Sequence, residues 1–173
     1  MQKLLIINGY AGSGKSTAAK AFAKRNDFAL LQQDTLLFQF NAFREEKGGL
    51  TASEHSVAVR NMHDCALNYM RIKRNIVIEG ALVSISKKDP LDIRDFIKLA
   101  KRMRYKVIIV TFIADKKTRL KREKKRRYIV PKNIDKKLQK AINDVCGKID
   151  GEIIVDTTKL SKRKTLEILE SVV

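Results

Sequence analysis

The chain has 173 residues, with 37 Lys and Arg against 19 Asp and Glu, a formal net charge of +18. That length predicts a single domain over 1–173, and 44% apolar residues supply a core, which excludes wholesale disorder. No apolar run reaches the roughly 18–20 residues of a membrane span, and the start before Leu4-Leu5-Ile6-Ile7-Asn8 is too short for a secretory signal, so a cytoplasmic protein with no membrane partner is expected.

In chain order, Lys3–Asn8 is a short apolar run ending at a glycine loop and predicts a buried strand. Ser16–Asn26 predicts a helix, with Ala18, Ala21 and Phe22 at helical spacing, and Phe28–Gln33 a second strand ending at Asp34. Phe38, Phe40 and Phe43 precede a turn at Glu45-Glu46-Lys47-Gly48-Gly49; packing into the core is preferred for them over stacking on a base or sugar. Glu54–Lys73 predicts a long helix capped by Ser53 or Thr51, with His55 and His63 on its surface. Asn75–Glu79 predicts a third buried strand, stopped by Gly80.

Asp89-Pro90 is the signature of a cap and first turn for a helix running to about Arg104. Lys106–Ile113 predicts a strand covered on both faces, because its Val-Ile-Ile-Val core is continuous. Lys116–Arg127 predicts a very basic helix, broken by Pro131 and followed by a helix over Ile134–Lys148. Glu152–Asp156 is the fifth predicted strand, and Ser161 caps a terminal helix. Cys65 and Cys146 are the only cysteines and lie outside any Cys-x-x-Cys or Cys/His cluster, which reads as reduced thiols rather than a zinc site.

Strands alternating with helices predict a parallel sheet covered on both faces, with ligands beyond the carboxyl ends of the strands. The loops after residues 8, 33, 79, 113 and 156 are then the candidate site. The strongest signal lies in the first of them. Gly9-Tyr10-Ala11-Gly12-Ser13-Gly14-Lys15-Ser16 fits G-x-x-x-x-G-K-[ST] without a mismatch, after a predicted strand and before a predicted helix. Its glycines let backbone N–H groups wrap a phosphate, with the positive end of the next helix behind them. Gly9, Ala11, Gly12, Ser13, Gly14, Lys15, Ser16 and Thr17 are thus predicted to bind ATP. Lys15 would reach the β- and γ-phosphates, and the Ser16 hydroxyl would hold Mg²⁺.

A phosphate loop implies a nucleoside triphosphate but not a reaction. The N-K-x-D and D-x-x-G elements of a GTPase are missing from their places, and the third strand ends in Glu79-Gly80, without the second acid of a ring ATPase or helicase. The remaining large class is the small phosphotransferases, which carry a basic lid over the nucleotide. Asp34, at the predicted end of the second strand, suits a base for an attacking hydroxyl or a holder of magnesium-bound water; as a bland alternative it caps the next helix. Glu79 either orients Mg²⁺ water, binds a substrate hydroxyl or serves the structure. The charge also needs a place: residues 101–140 hold 17 Lys and Arg against 3 Asp and Glu, a balance of +14, and the other 133 residues only +4. Arg122 and Arg126, four apart on one helical face, are predicted to stabilise the transferring phosphoryl group, with a lid over about 115–133 favoured over a merely solvated helix. Arg122 is counted with the nucleotide-binding residues as well. Arg44 and Arg60 are the nearest basic candidates for a phosphate on the acceptor.

Gly9–Thr17, the strand ending Gln33-Asp34, Asn75–Glu79, the Arg122/Arg126 pair and Val155-Asp156-Thr157 together resemble the small P-loop kinases of the polynucleotide kinase and zeta-toxin group. Leu120–Arg126, followed by Val130-Pro131 and Ile134-Asp135, is similar to the lid of phage-type polynucleotide 5′-kinases. That resemblance implies Asp34 as general base and Arg126 as the γ-phosphate arginine. The same family has an arginine three residues after the base, where this chain has Leu37. Gln33-Asp34-Thr35 and Ile76–Ala81 are similar to the base and substrate-acid segments of zeta toxins, which implies a UDP-amino-sugar acceptor.

The sequence therefore predicts a three-layer α/β P-loop NTPase fold of the nucleoside-monophosphate-kinase type. Its central sheet has five parallel strands, and its function is transfer of the γ-phosphate of ATP, with Mg²⁺, to a hydroxyl. The leading acceptor is a 5′-hydroxyl of nucleic acid, with a nucleotide sugar, nucleoside or other small phosphorylated molecule as the alternative. A non-catalytic nucleic-acid-binding module that uses ATP as a switch is a third, weaker reading.

Overall fold

The computed structural model describes residues 1–39, 50–86, 91–124 and 131–173. Five strands, β1 (Lys3–Gly9), β2 (Ala29–Gln32), β3 (Ile76–Glu79), β4 (Lys106–Ile113) and β5 (Glu152–Asp156), form one sheet in the order β2-β3-β1-β4-β5. Every pairing is parallel: Leu4 lies opposite Ile76 and Val107, Leu30 opposite Val77, and Phe112 opposite Val155. The helices are α1 (Lys15–Asn26), α2 (Gln33–Gln39), α3 (Ala52–Arg71), α4 (Ile93–Arg102), α5 (Lys116–Glu123), α6 (Lys132–Val145) and α7 (Lys162–Val172). The predicted five-stranded α/β fold is present.

The three layers follow from strand periodicity, because successive side chains of a strand point to opposite faces. Leu4, Ile6, Ile76, Ile78 and Ile109 turn to one face, where Val59, Met62, Ala66 and Met70 of α3 and Phe96 and Leu99 of α4 bury them. Leu5, Ile7, Val77, Ile108 and Val110 turn to the other, beneath Ala19 and Phe22 of α1 and Leu169 of α7. Each large apolar side chain so buried contributes about 1.5–3 kcal/mol. Among the described residues no helix is long and apolar enough to cross a membrane.

Local signals set the helix starts. Thr51 caps α3 in a reciprocal box: its hydroxyl accepts from the Glu54 N–H at 3.2 Å, and the Glu54 carboxylate accepts from the Thr51 N–H at 2.8 Å. Ser161 caps α7 as predicted. The cap of α4 is Asp92 rather than Asp89: the Asp92 carboxylate accepts from the Arg94 N–H, and Asp95 accepts back from the Asp92 N–H. Asp95, three residues on, closes the box at Asp92, and Asp89 and Pro90 lie outside the described residues. The second strand stops at Gln32, one residue before its predicted end at Gln33, so Asp34 lies in the first turn of α2.

Candidate active site

All five strands end on one edge of the sheet, and β1 is the middle strand. The chain leaves β1 toward β2 on one side and crosses from β3 to β4 on the other. A crevice therefore opens beyond the carboxyl end of β1, where the Gly9–Ser16 loop stands.

The loop has the shape of an anion cradle. Gly12 and Gly14 take φ of 74° and 92°, and Gly14 leads directly into α1 with no side chain capping the helix. The first N–H groups of α1 thus stay available to a ligand. Lys15 is buried and its Nζ donates to the Tyr10 carbonyl at 2.8 Å, bridging the loop that it would serve. Ser16 donates its hydroxyl to Glu79 Oε1 at 3.1 Å, and Gln32 Nε2 donates to Glu79 Oε2 at 2.9 Å. A hydroxyl beside a carboxylate is a hard-oxygen set that fits Mg²⁺, which takes few protein ligands and relies on phosphate and water for the rest.

Thr157, after β5, donates its hydroxyl to Ser13 O at 2.7 Å. Arg122 on α5 reaches the same place, where Nη1 donates to Gly12 O at 3.3 Å and Thr157 Oγ1 at 3.2 Å, and Nη2 donates to Thr157 O at 2.9 Å. The Arg119 guanidinium lies 4.7 Å from the centre of the Tyr10 ring, and the Tyr10 hydroxyl donates to Asn143 Oδ1 on α6. Helices α5 and α6 are therefore both registered on the phosphate loop.

Two hollows meet at this loop. The larger is a cleft of about 950 Å³ running past Gly12–Ala18 between α2 and the start of α7, with Arg122, Thr157 and Phe38 on its wall. The smaller, about 60 Å³, lies between the loop, α2, α3, the end of β3 and α6. Lys15, Ser16 and Asp34 line both.

The predicted site residues are thus partly assembled. Lys15, Ser16, Asp34 and Glu79 converge, and Arg122 joins the phosphate loop from α5. Arg60 is exposed on α3 and lines neither hollow. Arg44 and Arg126 lie outside the described residues, as do Phe40 and Phe43. Phe38 departs from the core position expected of it: it is 53% exposed, on the wall of the cleft. The short helix α2 turns its Leu37 inward instead.

His55 departs further from its predicted surface position, being 1% exposed. Its Nε2 lies 3.0 Å from Gln33 Nε2 and 3.2 Å from the Ala81 carbonyl, while Gln33 Oε1 accepts from the Ala81 N–H at 2.8 Å. Burial lowers the His55 pKa from 6.5 to about 4, against a smaller opposing pull from the Ala81 carbonyl, so the ring is neutral at pH 7. The signal was present in the spacing: His55 shares a helical stripe with Val59, Met62, Ala66 and Met70, all buried. Gly80 permits this packing, because a Cβ there would stand 2.7 Å from Gln33 Cβ.

The family model described as AAA domain matches residues 4–149. The fold is similar to that of a sugar kinase from Janibacter sp. HTCC2649 (TM-score 0.68, 15% identity, 99% of this chain and 94% of that one). It is also similar to a thymidylate kinase from Candida albicans (TM-score 0.67, 13% identity, 99% and 91%) and a gluconokinase from Sinorhizobium meliloti 1021 (TM-score 0.64, 15% identity, 95% and 87%). No curated protein sequence gives a significant match.

Proposed function

The chain belongs to the AAA domain family, and from that premise we propose that it is a P-loop kinase moving the γ-phosphate of ATP to a hydroxyl. The observation that carries the reading is the shared wall: Lys15, Ser16 and Asp34 line both the large cleft and the small pocket. A phosphoryl donor on one side and a hydroxyl on the other would meet at these residues.

In this reading the phosphates lie in the Gly9–Thr17 loop, and Lys15 exchanges its bond to the Tyr10 carbonyl for the transferring phosphate. Asp34 accepts the proton of the attacking hydroxyl as the new oxygen–phosphorus bond forms and the bond to the leaving ADP breaks. Ser16 and Glu79 are the residues that would hold Mg²⁺, which neutralises charge on the phosphates when bound. Arg122 fixes the loop's shape through Gly12 and Thr157, and Arg126 is assigned to the γ-phosphate. We take residues 1–173 as one kinase domain with a lid near 115–133, working in the cytoplasm, in keeping with free thiols at Cys65 and Cys146.

A second acceptor reading, the 5′-hydroxyl of a polynucleotide, is favoured by the +14 balance over residues 101–140. Binding of this kind weakens steeply with salt, because Lys and Arg displace counterions from phosphates.

The decisive variant is Asp34→Asn. Labelled-ATP transfer is expected to fall by about 10²–10⁴-fold, with ATP affinity retained. Undiminished transfer by Asp34→Asn removes the catalytic reading.

A further inference from the structure

The small pocket has a chemical character that narrows its occupant. Three carboxylate side chains, Asp34, Glu79 and Asp135, face it from three different elements, together with the amides of Gln33 and Gln139. Lys15 is the one Lys or Arg on its wall among the described residues, and in the kinase reading that charge is committed to ATP. Two of the carboxylates are held in place: Glu79 by Ser16 and Gln32, and Asp135 by Gln139 Nε2 at 2.5 Å.

His55 forms part of the pocket wall. It is 1% exposed and is neutral at pH 7 because burial lowers its pKa to about 4. Its Nδ1 is buried without a hydrogen-bond partner. An ionised carboxylate or phosphate would meet Asp34 and Asp135, the two pocket carboxylates that the kinase reading does not assign to Mg²⁺.

Resting on the kinase reading, we propose that the acceptor enters this pocket as a small polyhydroxylated end that bears no phosphate or carboxylate, uncharged or carrying an ammonium. The volume of about 60 Å³ fits this: it has room for a hydroxymethyl end. One acceptor hydroxyl gives its proton to Asp34 and attacks phosphorus, while neighbouring hydroxyls or an amine donate to Asp135, Glu79 being held for Mg²⁺. ATP leaves as ADP, so the step balances without another reactant.

The test uses the full chain, Mg²⁺ and labelled ATP, with probes of one carbon skeleton and different charge: glucitol, glucosamine, gluconate and glucose 6-phosphate, beside a 5′-hydroxyl oligonucleotide. Transfer to glucitol or glucosamine is expected to exceed that to the anionic probes by at least about tenfold in kcat/KM. Asp135→Asn is expected to narrow that ratio several-fold, which a merely structural role of Asp135 would not do. Preference for gluconate, glucose 6-phosphate or the oligonucleotide overturns the proposal, as does ATP turnover with neither glucitol nor glucosamine labelled. Titration of ATP binding separates the two levels: without it, the kinase reading fails together with this one, whereas binding with the wrong acceptor preference sinks the acceptor class alone.

Discussion

Gly12 shows how closely the phosphate loop is fitted. Its φ of 74° is costly for any side chain, and a Cβ would stand 2.7 Å from the Arg119 carbonyl oxygen, which is backbone and cannot swing away. Gly12→Ala is expected to weaken ATP binding by at least about tenfold, with a loss of about 1–3 kcal/mol in stability; nucleotide titration and urea unfolding measure the two. Arg122→Lys keeps the charge but not the fork that spans Gly12 O and Thr157 O. Its main effect is expected on KM for ATP, with a smaller change in kcat.

His55 ties the site to pH. Its folded pKa of about 4 lies below the usual 6.5, so between those values the unfolded chain binds more protons than the folded one. Stability contributed by the neutral ring is fully present above pH 6.5 and is lost as pH falls toward 4. The span corresponds to about 3 kcal/mol. His55→Gln is expected to flatten the slope of unfolding free energy against pH in that window, whatever it does to stability at pH 7. An unchanged slope would show that the histidine is not the titrating group.

At the scale of elements, the starts of α3 and α7 were legible because a cap is a local device: the hydroxyl of Thr51 or Ser161 and the N–H it satisfies lie three residues apart. Thr51→Ala is expected to cost about 1 kcal/mol in urea unfolding. The strands were legible for a related reason, since apolar runs such as Val107–Val110 have few fates other than a strand covered on both sides. The second strand was misjudged at its end because Gln33, polar in sequence, is buried in the structure by its bonds to Ala81 and His55. Those partners stand 48 and 22 residues away, beyond any local pattern.

For the whole molecule, the net charge of +18 suggested a polyanionic partner. The described structure separates that charge into two kinds. Arg119 and Arg122 are turned into the phosphate loop, whereas Lys132, Lys136, Lys137 and Lys140 lie exposed along α6. Replacing these four lysines with glutamate is expected to reduce salt-sensitive retention on a polyanionic resin and leave ATP binding unchanged.

The sequence by itself determined the phosphate loop, the parallel α/β architecture and the meeting of Lys15, Ser16, Asp34 and Glu79 near one edge. Each is encoded by a short motif or by the alternation of strand and helix. Only the tertiary structure decided the strand order, the anchoring of Arg122 on Gly12 and Thr157 and the carboxylate-rich small pocket. The pocket draws Asp34, Glu79 and Asp135 from segments separated by tens of residues. What a side chain will face across such a distance is set by how the helices pack on the sheet, and no local spacing carries it.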